Sequence, residues 1–334
     1  MAPHLTRRTT LAGLAACVAT PAAAQTTAGG TAIIYTSNSA QAVDAVTDAA
    51  RKSMPNLKIS TVTGGSGQLL RRIEAEVAKP QGDVFWSSSA NTLGAFKPLF
   101  EPYKVKDQAM ILPSLRHPQD LWTAANMHVA VIMLNRAQLG GLPEPKTWSD
   151  ILDPRFKGKI TIADPANSST AYTILWGVEK LLGGDGLKRL ADNVKVTASA
   201  PAVLRSVAQG EYAMGLTFES NAYAYVAGGQ KEIALVYPAD GTFTTPEFFA
   251  MIKGAPGGAL AQQTCDLLAS RDVQIALLES AFRRPARTDI EVGKYVDLPE
   301  LSKIKVFETN EDEAATQRKD FLARWQALVA AAGN

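Results

Sequence analysis

Short apolar runs alternate along the chain with stretches whose apolar residues recur every three or four positions. Ala32 to Tyr35 is apolar; Ser37-Asn38-Ser39 follows, and then Val43, Val46 and Ala50 at helical spacing. Leu57, Ile59 and Val62 alternate as in a strand, Gly64 to Gly67 make a turn, and Leu69, Leu70, Ile73 and Val77 form the stripe of a helix. Val84-Phe85-Trp86 reads as a buried strand that delivers Ser87-Ser88-Ser89 and then turns helical. The alternation recurs at Ile160–Ala163, with a helical stripe at Tyr172, Leu175, Val178 and Leu181-Leu182. It recurs again at Val194–Thr197, where Ser199 is the expected cap and Pro201 sits in the first helical turn, and at Tyr212–Phe218, whose helix ends at Gly228-Gly229. Repeated strand–turn–helix units predict an α/β fold with mixed, mainly parallel sheets.

Two segments break the rhythm. Leu121 to Asn135 is long and β-prone, without Gly or Pro, and is expected to form two strand pieces that carry the chain from one lobe to another. Glu232 to Pro256 has strand-like stretches interrupted by Pro238 and Gly241 and is the expected return crossing. Asp266–Arg283 is expected to be helical, as is Glu311–Ala331, with Phe321, Trp325 and Leu328 on one face.

The first 24 residues resemble a secretory leader: Arg7-Arg8, a short apolar run from Leu11 to Ala19, and Ala22-Ala23-Ala24 before Gln25. Arg7-Arg8 fits the twin-arginine route, an ordinary Sec signal is the alternative, and Leu14-Ala15-Ala16-Cys17 offers lipid anchoring through Cys17. Cleavage after Ala24 removes two of the 34 basic residues and none of the 32 acidic ones, so the remaining charge is balanced and gives no sign of a nucleic-acid or membrane partner. Cys265 alone would remain, with His117 and His128, which excludes a disulfide framework and leaves little for a metal cluster. No metal, cofactor or catalytic residue is expected. Gly64-Gly65-Ser66-Gly67-Gln68 misses the G-x-S-x-G hydrolase elbow at its last position.

Six strand-to-helix junctions carry Ser, Thr, Asn or Gly: Ser37-Asn38-Ser39, Gly65-Ser66-Gly67, Ser87-Ser88-Ser89, Asn167-Ser168-Ser169-Thr170, Ser199, and Ser220-Asn221. Each alone makes an ordinary helix cap. Several offer more donors than one cap needs, and in open α/β sheets the strand C-termini share the edge where ligands bind. Helix N-termini there carry free N–H groups and partial positive charge, which suits a tetrahedral oxyanion.

The stretch PKTWSDILDPRFKGKITIADPANSSTAY, residues 145–172, resembles bacterial extracellular solute-binding proteins of ABC importers, in the branch holding ferric-ion-, phosphorylated-sugar- and 2-aminoethylphosphonate-binding members. TGGSGQLLRRIEAE, DVFWSSSA, SVAQGEYAMGL and RRPARTDI fit the same branch. The resemblance implies a two-lobed type II periplasmic-binding fold with two hinge-crossing strands, a periplasmic location, and a monomer that hands a small anionic or zwitterionic solute to inner-membrane ABC permease subunits. It divides the chain into a first lobe (25–122 and 245–292), a second lobe (123–244) and a C-terminal helical segment (293–334) packing on both. Ferric-binding relatives use a histidine in the first loop, a glutamate after the DVF-like strand and two adjacent tyrosines. Here those positions are about Ser39, Ser88, and Ala222-Tyr223 with Tyr225 beyond, so iron is disfavoured.

The expected ligand contacts are Ser37, Ser39, Ser66, Gly67, Ser88, Ser89, Ser168, Ser169, Thr170 and Asn221 as donors for a phosphonate or phosphate. Asp164, Glu219, Tyr172 and Tyr223 are expected to face a cationic or hydroxyl-bearing tail, with Tyr35 and Trp86 nearby. 2-Aminoethylphosphonate fits this set best and a phosphorylated sugar is the nearest rival. Whether Arg71, Arg205 or Arg287 joins the site stays open.

Overall fold

The structure, a computed structural model, describes residues 29–333. The leader motif, including Arg7-Arg8 and Cys17, lies outside them. The chain runs β1 (Gly30–Thr36), α1 (Ala40–Ser53), β2 (Leu57–Thr63), α2 (Ser66–Ala75), β3 (Val84–Trp86), α3 (Ala90–Leu93) and β4 (Thr123–Asn135). Next come β5 (Ile160–Ala163), α4 (Ser169–Asn193), β6 (Val194–Thr197), α5 (Ala200–Ala208), β7 (Met214–Phe218), α6 (Glu219–Ala227), β8 (Ile233–Val236) and β9 (Thr244–Met251). It ends with α7 (Ala259–Ala269), α8 (Arg271–Ala281), β10 (Arg284–Pro285) and α9 (Glu311–Ala331).

The strands form one curled mixed sheet in the order β2-β1-β3-β9-β4-β7-β5-β6, with β8 and β10 also pairing with β4. β1 pairs in parallel with β2 and β3, and β5 pairs in parallel with β6 and β7. The two parallel groups are joined through β4 and β9, which run antiparallel to their neighbours. The β4 strand is one continuous strand and not two pieces: Thr123–Val129 pairs with β9, and Ala130–Leu134 pairs with β7. All of its 13 residues are buried, so no solvent-exposed break interrupts it. The expected lobe boundary at 122/123 lies just before β4, and that at 244/245 lies after the first residue of β9. The predicted helix over 266–283 is two helices, because Ser270 ends α7 and its hydroxyl caps α8 at Val273 N.

Alternation along each strand fills both faces of the sheet. In β3, Val84 and Trp86 join Ala32, Ile34 and Cys265 in one core, while Phe85 joins Tyr35 in another. A further core gathers β5, β7 and α4 around Trp148, Trp176 and Leu190, and α9 adds Ala314, Phe321 and Trp325 to it. Phe321 is fully buried, with its ring edge-on to Tyr172 at 5.4 Å and to Trp176 at 5.7 Å. Phe321→Ala is expected to cost about 3–5 kcal/mol, read as a lower midpoint in denaturant unfolding. A midpoint shift worth under about 1 kcal/mol would mean that α9 is docked loosely.

Candidate functional site

Helix starts and strand ends from both halves of the sheet converge on one cleft of about 190 Å3, room for a small solute and well below the ~300–1,000 Å3 of drug-sized pockets. The first half supplies Ser37 and Asn38 after β1, Ser66 at the start of α2, and Ser87, Ser88 and Ser89 after β3. The second half supplies Ser169, Thr170 and Thr173 from α4, Phe218 and Asn221. Between them lie His128 of β4, Thr245, Pro246 and Glu247 of β9, and Arg283 just before β10.

The serine hydroxyls are knotted together. Ser66 Oγ lies 3.1 Å from Ser37 Oγ and 2.7 Å from Ser87 Oγ; Ser37 also bonds Ser87, and Ser88 Oγ is 3.5 Å from Ser87 Oγ. A hydroxyl donates or accepts as its partner requires, so this knot can turn its O–H groups toward an incoming oxyanion. Ser88 sits at φ 72°, a left-handed conformation that non-glycine residues rarely adopt and that concentrates at functional sites. Its carbonyl accepts from Phe248 N at 2.9 Å, which ties the strained turn to β9. Ser88→Gly is therefore expected to leave stability within about 0.5 kcal/mol, whereas Ser88→Val costs about 1–3 kcal/mol in thermal unfolding.

Arg283 lines the same cleft as the knot. Arg283 Nη1 lies 2.9 and 3.0 Å from the two ring nitrogens of His128, which stacks flat on Phe218 at 4.7 Å. Burial, and then the charge of Arg283, push the His128 pKa well below its ordinary value, so the ring is neutral and accepts from the guanidinium. Burial lowers the Arg283 pKa and Glu247 pulls it back up, but a guanidinium stays charged. Glu247 accepts from Asn126 Nδ2 at 2.7 Å; burial raises its pKa, against the pull of Arg283.

Of the residues expected to touch ligand, Ser37, Ser66, Ser88, Ser89, Ser169, Thr170 and Asn221 line this cleft. The others do not. Ser39 and Ser168 serve as N-caps, accepting from Ala42 N and Ala171 N. Gly67 lies inside the first turn of α2, off the lining. Asp164 is taken by its own turn, accepting from Ala166 N at 2.9 Å and Asn167 Nδ2 at 3.0 Å. Tyr172 is buried, its hydroxyl donating to Ala314 O and its ring covered by Arg318 at 4.2 Å. Tyr223 packs edge-on against Phe282 at 4.9 Å. Glu219 is claimed by Arg284, with both side chains buried. Trp86 belongs to the core, and Tyr35 donates to Glu76. Arg287 is committed to Asp107 and Asp289. Asn38 and Ser87 belong to the donor-rich junctions but were not among the expected contacts, and His128, Thr173, Glu247 and Arg283 were not anticipated. For Arg283 a signal existed, since it opens the RRPARTDI motif.

Among the described residues no group of three or more His, Cys, Asp or Glu stands close enough to hold a metal ion, and no helix is long and apolar enough to cross a membrane. Residues 80–315 match the family described as bacterial extracellular solute-binding protein. The chain is 25% identical to the fructose-6-phosphate-bound periplasmic binding protein AfuA of Actinobacillus pleuropneumoniae, with a TM-score of 0.79 over 90% of this chain and 99% of that one. It is 23% identical to iron uptake protein A1 of Synechocystis, over 72% of this chain and 71% of the relative. It is 21% identical to a putative 2-aminoethylphosphonate-binding periplasmic protein of Salmonella typhi, over 82% and 83%. A donor-lined cleft between two α/β halves meets a family match over most of the sequence: the chain belongs to the bacterial extracellular solute-binding proteins, a family of substrate-binding transport proteins, and is a periplasmic binding protein of the ABC-importer type.

Proposed function

We propose that this protein captures a small organophosphate or organophosphonate in the cleft and delivers it, as a monomer, to an inner-membrane permease. The observation that carries the reading is Arg283, which lines the same cleft as four linked serine hydroxyls and whose hydrogen-bond partner is a neutral ring, not a carboxylate. A phosphoryl group would take charge-assisted bonds from the guanidinium and from the hydroxyls. Helix N-termini at Ser66 and Ser169 add partial positive charge. The same cation opposes ferric iron, as does a lining without tyrosine.

Within the class, Glu247 favours 2-aminoethylphosphonate, because it offers a carboxylate to an ammonium in the same cleft as the anion site. A phosphorylated sugar is the second reading, favoured by Asn221, Thr173 and His128, which together present donors and acceptors for hydroxyls. Closure would follow from bending at β4 and the β8–β9 connection, a hinge motion of the kind known for periplasmic binders. Export through a twin-arginine or Sec leader, with or without lipid on Cys17, completes the reading.

Calorimetry with 2-aminoethylphosphonate, glucose 6-phosphate, inorganic phosphate and ferric citrate tests it. One of the two organic phosphorus compounds is expected to bind and, at a hundredfold excess over Kd, to stabilise the fold by about 2.7 kcal/mol. Binding of ferric citrate alone would refute the reading.

A further inference from the structure

The chain reaches Arg283 through a segment fastened to the second lobe at each successive residue. Phe282 adopts a left-handed conformation, φ 55°, and its ring packs against Tyr223 of α6. Arg283 lies on His128, which stacks on Phe218 at the start of α6. Arg284 turns the other way, as alternate residues of extended chain do. Its Nε and Nη2 each donate to Glu219 over 2.6 Å, in a two-pronged pairing that only a guanidinium can make. The side chains are 3% and 2% exposed, and Tyr237, just after β8, donates to the same carboxylate.

As a source of stability this cluster is a poor bargain. Desolvating two charges offsets most of their attraction, and replacing such pairs by apolar residues is often neutral. Arg284 Nη1 is moreover buried without a partner among the described residues, which adds a further cost. What the pairing does achieve is register. β10 is held to β4 only at Met127 and Asn126, Glu219 opens α6, and Tyr237 belongs to the second lobe, so three elements are pinned at one point.

We propose that the buried Arg284–Glu219–Tyr237 cluster is a positioning device: it sets the segment Phe282–Arg284 against α6 and thereby aims Arg283 at the solute. The inference rests on Arg283 as the anion contact, and the test separates the two. Affinity for 2-aminoethylphosphonate and for glucose 6-phosphate is measured by calorimetry for the wild type, R283A, E219Q and the double variant. Glu219→Gln keeps the shape but breaks the charge pairing; Tyr237→Phe is the milder variant should E219Q not fold.

The expected result is a loss of about tenfold or more for E219Q in the wild-type background and none in the R283A background, because Glu219 acts only through Arg283. Losses that add in the double variant, or an E219Q affinity equal to wild type, overturn the positioning role. An R283A affinity equal to wild type overturns the anion contact instead. In that case, or if neither ligand binds, the ligand-free NMR titration of His128 decides the positioning role. A released Arg283 should let the His128 pKa rise toward its ordinary value in E219Q, and an unchanged titration means that the cluster does not hold Arg283 in place. A merely structural role would move melting temperature in all backgrounds alike and leave the His128 titration where it was.

Discussion

Arg283→Ala is expected to weaken binding of the organic phosphorus ligand by about 30- to 1,000-fold while leaving the melting temperature unchanged or slightly higher. The magnitude follows from the setting. Truncating one partner of a buried, hydrogen-bonded charge pair costs about 2–4 kcal/mol in binding. In the free protein the same guanidinium is a liability, since burial already pushes its pKa down and its hydrogen-bond partner is a neutral imidazole. Removing it relieves its desolvation in the unliganded state, which offsets the attraction to the buried Glu247 that is lost with it. Opposite movement of affinity and stability is the signature of a residue kept for its ligand. Calorimetry and thermal melting of one variant together check it; a parallel fall in both would mark Arg283 as structural.

Glu219→Ala is expected to cost about 3–5 kcal/mol of stability, because it leaves the Arg284 charge buried and unpaired. The paired replacement Glu219→Gln with Arg284→Met should recover most of that loss, since a neutral pair of similar volume leaves no charge to desolvate and the amide oxygen can still accept from Tyr237. Denaturant unfolding of the single and paired variants checks both statements. A single variant as stable as wild type would mean that water reaches the pair.

Much of the architecture was legible because it rests on local periodicity. The alternation of apolar runs with helical stripes marked every unit from β1 to α6, and the serine-rich junctions marked the edge where the cleft forms. What escaped was set by distant residues. Glu219 follows β7 where a cleft-facing carboxylate was expected, but Arg284, 65 positions later, pulls it into the interior. Asp164 is claimed two residues on by Ala166 N. The α6 helix begins at Glu219 with Phe218 as its cap, so Ser220 and Asn221 lie inside the first turn and not at the cap. Arg283 follows α8, and the left-handed turn at Phe282 precedes its arrival at the cleft; no pattern of apolar spacing encodes such a turn. Tyr172 sits on the helical stripe of α4, and its burial under α9 follows from that periodicity more directly than a ligand role does.

The most direct test of the anion site is a crystal structure of the protein with 2-aminoethylphosphonate or glucose 6-phosphate. The phosphoryl oxygens are predicted to lie at charge-assisted hydrogen-bond distance, about 2.7–2.9 Å, from the Arg283 guanidinium and from hydroxyls of the Ser37, Ser66 and Ser88 group. Phosphorus held elsewhere in the cleft with Arg283 facing solvent, or a ferric ion bound by side chains in its place, would contradict the account.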